Sequence, residues 1–228
     1  VPVLCNRLWK KRADALVAPR GNLALSLCLA CGHVFNRAFD PALVEYSPSY
    51  DNWLHFSPRF QEYAETIARR LIDRHALHGK DIIEIGCGKG EFLQMMVELG
   101  NNRGAGFDPS YEPSPDDAKD ERISFVKEFY TEAHLDLAPD LVIARQLLEH
   151  IEAPFEFVSG IRRALGDRRD AVVVFEVPNA LDMLQRADLW DVIYEHPIYF
   201  TPQALERLMR SAGFEVHQVR PAYEGLFL

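Results

Sequence analysis

Asp81-Ile82-Ile83-Glu84-Ile85-Gly86-Cys87-Gly88-Lys89-Gly90-Glu91-Phe92 is the stretch whose reading decides the fold. An apolar, β-branched run enters three glycines at alternate positions, and the apolar spacing then turns helical. Glycine lets the chain turn tightly and lets a ligand approach the backbone with no Cβ in the way. The helix start beyond the loop offers unpaired N–H groups. Such a strand, loop and helix suit a nucleotide-like ligand at the carboxyl end of a parallel sheet. About 20 residues on, Asp108 ends a second apolar run, where an acid accepts hydrogen bonds from ribose hydroxyls.

Outward from this loop, strand and helix patterns alternate. Strands are predicted at 81–85, 103–107, 123–126, 141–144 and 171–177, a sixth at 214–219, and the opening of a seventh at 226–228. Helices are predicted at 60–77, where Phe60, Ala64, Ile67 and Leu71 keep helical spacing, and at 91–99, 154–165 and 202–212. Apolar runs divided by helices indicate an α/β fold, a Rossmann-like parallel sheet with helices on both faces. Residues 1–45 lack a long period and read as a small ribbon-like module, with residues 46–228 as the core. The chain starts at Val1 without a methionine and ends at Leu228 inside an incipient strand, so both ends are expected to be cut.

Two ligands compete for the glycine loop. The dinucleotide fingerprint GxGxxG wants its third glycine where this chain has Glu91. A pyrophosphate over that helix start would meet Glu91 with like charge. S-adenosylmethionine (SAM) has no phosphate and carries an ammonium and a sulfonium, which acids at Glu84 and Glu91 tolerate. With the acid, the glycines and Asp108 in order, residues 81–219 resemble the class I SAM-dependent methyltransferases. The resemblance implies that Glu84, Gly86 and Gly88 surround the methionine part and Asp108 the ribose. It also places Glu128 or Phe129 near the adenine and Arg145 or Gln146 near the methyl group. The run Gln146 to Ile151 resembles the family's segment after strand four, and His150 in it reads as structural rather than catalytic. Tyr46, Tyr50 and Phe56 resemble an aromatic cover that can close over SAM, where a ring face attracts a sulfonium.

Two further features resemble the narrower group of zinc-module-containing sugar C-methyltransferases. Cys28-Leu29-Ala30-Cys31 is a CxxC pair like the second pair of that group's N-terminal zinc module. The first pair is missing, and a tetrahedral zinc site needs four ligands. The resemblance implies zinc on Cys28 and Cys31, in a site that is incomplete or vestigial. Tyr194-Glu195-His196-Pro197 resembles the group's YEH segment, in which the histidine is the base and the tyrosine and glutamate hold substrate. Histidine titrates near neutrality, as removing an acceptor proton requires. The group continues into a C-terminal domain beyond the point where this chain ends, so substrate holding is expected to be incomplete.

The bulk composition narrows the partners. A formal net charge of -9 argues against a nucleic-acid substrate. No apolar run approaches the roughly 18 residues of a membrane helix, and no signal-peptide layout opens the chain. Four cysteines in 228 residues do not make a disulfide scaffold. The expectation is a cytoplasmic enzyme acting on a small molecule, with SAM as cofactor and sugar C-methylation as the leading reaction. O-methylation of a small metabolite, a non-catalytic SAM-binding subunit and an NAD-binding protein are the rivals.

Overall fold

The computed structural model describes residues 1–5, 7–44, 55–113, 120–131, 134 and 138–228. Tyr46 and Tyr50, predicted as cover residues, lie outside the described residues. In chain order the elements are α1 (Arg12–Leu16), β1 (Leu25–Leu27), β2 (Val34–Asn36), α2 (Pro58–His75), β3 (Asp81–Ile85), α3 (Glu91–Gly100), β4 (Arg103–Phe107), β5 (Ile123–Val126), β6 (Leu141–Arg145), α4 (Pro154–Ala164), β7 (Val172–Glu176), α5 (Ala180–Arg186), β8 (Ile198–Tyr199) and α6 (Pro202–Ser211). Backbone contacts group them into two units. One comprises residues 53–145 and 160–175, the other residues 1–52, 146–159 and 176–228.

The first unit carries the central sheet. Five strands lie in the order β5-β4-β3-β6-β7. The β3 ladders to β4 and β6, and that of β4 to β5, are parallel. Succession therefore runs outward one way from β3 to β5 and restarts on the other side of β3 with β6. At such a reversal, beyond the carboxyl ends of the strands, α/β folds hold their ligands. The helix α2 begins at Pro58, whose missing N–H is no loss in a first turn, and buries Phe60, Ala64, Ala68 and Ile72 at four-residue spacing. Ala64, Ala68 and Ile72 pack with Phe92, Leu93 and Met96 of α3 against Ile82, Leu141 and Ile143. The alternate residues Ile83, Ile85, Val142 and Ala144 are equally buried, so both faces of the sheet are covered.

Glycines set the spacing between α3 and the sheet. Gly90 caps α3 at φ 83°, and a Cβ there would stand 2.3 Å from the Phe125 ring. Gly90→Ala should thus cost about 1–2 kcal/mol for the left-handed backbone and about 1–3 kcal/mol for overpacking. Urea unfolding of the two proteins checks this, and unchanged midpoints would refute the account.

In the second unit β1 and β2 form an antiparallel hairpin, and β2 pairs on its other edge with β8. The buried Asn36 amide ties the hairpin base. It accepts from the N–H groups of Ala24 at 2.8 Å and Ala38 at 3.1 Å, and donates to the Asn22 carbonyl at 3.0 Å. Asn179 caps the short α5, which the sequence pattern had not marked.

The predicted strand at 214–219 does not form. Half-buried and exposed residues alternate over 214–217, but the segment is not among the strands of either sheet. Alternation fixes which side chains turn inward, not which backbone groups pair. The seventh strand is reduced to a bridge, with Val177 and Leu228 exchanging hydrogen bonds of 2.8 and 3.2 Å.

Candidate functional site

The glycine loop is held by its neighbours' backbone. Gly86, Gly88 and Gly90 all have positive φ, 72°, 56° and 83°. The Gly86 N–H donates to the Phe107 carbonyl at 2.8 Å, joining the loop to the end of β4. Asp108, one residue on, accepts from the Gly88 N–H at 2.9 Å, from the Ser110 N–H at 2.8 Å and from the Ser110 hydroxyl at 2.6 Å. The carboxylate predicted to take a ribose thus also pins the loop. Nothing lies within 4 Å of where a Gly88 Cβ would stand, so the loop faces open space there.

Glu84 sits under this loop, only 3% exposed, and its Oε2 has no hydrogen-bond partner. Burial pushes its carboxyl up to about 8, against the pull of the Arg145 guanidinium. Arg145 lies over the Phe92 ring at 4.1 Å and over the Phe60 ring at 5.7 Å from its centroid. Burial likewise raises the Cys87 thiol, which makes it a packing residue rather than a nucleophile.

Beyond β5, Glu128 and Phe129 both point to solvent, Phe129 at 68% exposure. Sequence reasoning missed the aromatic group beside them. Tyr130 and His134 pack on Phe107 at 5.2 and 4.6 Å, and Tyr111 stacks on Phe125 at 4.5 Å. Aromatic residues following strands two and three were the available signal. Phe56 is exposed.

Gln146 belongs to the second unit. Its backbone N–H donates to the Glu176 carbonyl at 2.8 Å and its amide to the Glu176 carboxylate at 3.3 Å. The same unit brings the YEH turn together with His150 and Glu149. Tyr194 and Glu195 are fully buried, and their polar ends are engaged by backbone. The Asp40 N–H donates to the Tyr194 hydroxyl at 2.8 Å, and the Cys5 N–H to Glu195 Oε1 at 2.7 Å. A Cβ on Gly21 would stand 2.0 Å from the Tyr194 ring, so that glycine is needed for the tyrosine to seat. These two residues tie the N-terminal segment down, a role their predicted grip on substrate did not include.

His196 differs. Its Nδ1 meets the Asp191 carbonyl at 2.9 Å, and a carbonyl has no proton to give, so Nδ1 carries the hydrogen and Nε2 the lone pair. Burial, then the neighbouring His150, hold its pKa well below the ordinary range. His150 donates from Nδ1 to the Glu195 carbonyl at 2.9 Å, and burial holds it at about 4. The two rings stand edge to face, 4.7 Å apart.

Cys28 and Cys31 bracket the hairpin turn between β1 and β2, where the Gly32 N–H donates to the Cys28 carbonyl at 2.8 Å. Cys31 Sγ is 3.4 Å from His33 Nδ1. The Cys31 backbone N–H and thiol lower the Cys28 thiol. Two thiols and one imidazole fall short of four ligands, and no fourth donor completes them among the described residues, so they do not fit a closed structural zinc site. They line instead a cavity of about 660 Å³ with Phe35, Phe155 and Arg207.

A sheet reversing at β3, an acid-flanked triple-glycine loop and an acid ending β4 define a class I SAM-dependent methyltransferase. The chain belongs to the methyltransferase-domain family, which it matches over residues 55–219, and it is an enzyme of that class. Among solved structures it is similar to the cyclopropane synthase MmaA2 from Mycobacterium tuberculosis, at 13% identity and TM-score 0.53, covering 79% of this chain and 70% of that one. It is also similar to the mycolic acid cyclopropane synthase CmaA1 complexed with SAH and CTAB, at 15% identity and TM-score 0.52, covering 80% and 70%. Human N-acetylserotonin methyltransferase in complex with SAM matches at 16% identity and TM-score 0.50, covering 74% and 53%. The chain has no match among curated proteins. No helix among the described residues is long and apolar enough to cross a membrane.

Proposed function

We propose that the chain transfers the SAM methyl group to a small-molecule acceptor, a carbon beside the keto group of a sugar or sugar nucleotide. When bound, SAM supplies an electrophilic methyl on a sulfonium. Glu84 pairs with its ammonium, Asp108 accepts from its ribose hydroxyls, and Gly86 and Gly88 let it approach the backbone. The aromatic group of Tyr111, Tyr130 and His134 serves the adenine side better than exposed Glu128 or Phe129. Gln146, oriented by Glu176, serves the methyl side. His196 Nε2 would take the proton from the acceptor carbon, leaving its electron pair for the methyl that bound SAM would supply, with the sulfur–methyl pair returning to S-adenosylhomocysteine as the leaving group.

The observation that carries this reading is the neutral His196 ring with its lone pair on Nε2. Tyr194 and Glu195 support the reaction by fixing the turn that presents it. O-methylation of a metabolite uses the same base on a hydroxyl and is the second reading. The enzyme is proposed to act in the cytoplasm.

Incubation with SAM and a panel of keto-sugar nucleotides, followed by mass spectrometry, tests the proposal. One sugar should gain a methylene, and His196→Ala should lower that rate by about 10²-fold or more, the usual scale for a positioned base. Gain on a hydroxyl metabolite alone selects the second reading. SAM binding without turnover on any acceptor overturns both.

A further inference from the structure

We infer that Glu149, His150 and His196 form a binding site for a divalent first-row transition-metal cation, which nothing in the methyltransferase reading calls for. The ligand atoms of the three side chains all lie within 4.8 Å of one another. Two imidazoles and a carboxylate are the donor set that zinc-class ions take, and three protein ligands leave a fourth position open for an oxygen of water or acceptor.

Three observations point to a cation rather than to a packed polar cluster. First, both histidines donate from Nδ1 to main-chain carbonyls, of Glu195 and of Asp191, each at 2.9 Å. That outer hydrogen bond fixes the tautomer in which Nε2 carries the lone pair, as metal-ligating histidines are fixed. Second, Glu149 is 2% exposed and its Oε2 has no hydrogen-bond partner. A buried carboxylate oxygen without a donor costs free energy that a cation would recover. Third, burial first, then the acidic Asp191 and Glu176, raise the Glu149 carboxyl, and a cation beside it would offset that cost. Adjacent residues on a 3-10 turn, Leu148–His150, supply two of the donors, and the turn after α5 supplies the third.

Around an ion at the usual ~2.1 Å, tetrahedral donors stand roughly 3.4 Å apart. From 4.8 Å the most separated donors must close by about 1.4 Å to meet that spacing. The ion and a proton would compete for the same His196 lone pair. Binding is therefore read on the ion itself and stands apart from the proposed reaction.

The test uses the whole chain, reduced and stripped of metal, titrated with Co²⁺ and followed by visible absorption and equilibrium dialysis. One Co²⁺ per chain is expected, with d–d bands and no thiolate charge-transfer band. The Cys28→Ser, Cys31→Ser double variant should bind as tightly, and His196→Ala or Glu149→Gln at least 10²-fold more weakly. X-ray absorption of the Co²⁺-loaded unsubstituted chain needs no variant to fold, and should show a nitrogen and oxygen shell with the outer scattering of two imidazoles. Absence of binding at millimolar Co²⁺, sulfur in the shell, or loss of binding in the cysteine variant would each overturn the site.

Discussion

Asp108→Ala is expected to raise the SAM dissociation constant by about 10²-fold or more. The carboxylate has two tasks. Toward the protein it accepts from Gly88 and twice from Ser110, at 2.6–2.9 Å, which holds the middle glycine of the loop against the end of β4. Toward the ligand, its remaining lone pairs suit a ribose diol. Hydrogen bonds to a charged group are each worth about 1.5–3 kcal/mol, so losing two to the ribose alone reaches the stated factor. Stability should fall as well, because the Gly88 N–H loses its acceptor. Asp108→Asn separates the two tasks. It keeps one acceptor oxygen, so the loop can stay pinned while the diol loses half its grip, and the affinity loss should lie between wild type and alanine. Calorimetric titration of the three proteins with SAM reads the series. A change below threefold in the alanine variant would remove Asp108 from the cofactor site.

The sequence made the central sheet legible because local and distant constraints agree there. The first three core strands lie at the predicted residues, 81–85, 103–107 and 123–126. β3 is buried along nearly all its length and β4 carries two glycines, while β5 is only half-buried. The second sheet was not legible. Its strands are two or three residues long, and Val34 pairs with Tyr199, far along the chain. No period develops over so short a run, and pairing across such a distance leaves no local trace. At the candidate site, the spacing of Gly86, Gly88 and Asp108 marked a loop and an acid, and the structure joins them through the Gly88 N–H on Asp108. The engagement of Tyr194 and Glu195 by the backbone of Asp40 and Cys5 could not be read, since motif resemblance transfers residue types and not hydrogen-bond partners. Likewise His150, read as structural, turned out to share its donor geometry with His196 across 45 residues of chain.

The second large effect concerns Glu84 and pH. Its carboxyl is raised from 4.5 to about 8 by burial. For an acid raised in the folded state, the associated stability is complete below the unfolded value, near 4.5, and is lost as pH rises through about 8. Glu84→Gln removes this dependence. The variant should match wild type in acid and gain on it across the window from about 4.5 to 8, by an amount on the order of 3–5 kcal/mol. Binding runs the other way. In the proposed complex the ammonium of SAM meets the ionised carboxylate, so at pH 7 binding would drive a proton off Glu84. The dissociation constant should fall about tenfold per pH unit up to about 8, then rise as the ligand's own α-amino group loses its charge. Titration in two buffers of different ionisation enthalpy should count close to one proton released at pH 7, and none for Glu84→Gln, which binds weakly at every pH. A buried acid that costs stability when empty and is repaid by a cationic ligand ties occupancy to order in the loop above it. If affinity is flat from pH 6 to 8, the ammonium does not meet Glu84, and the methionine end of SAM lies elsewhere.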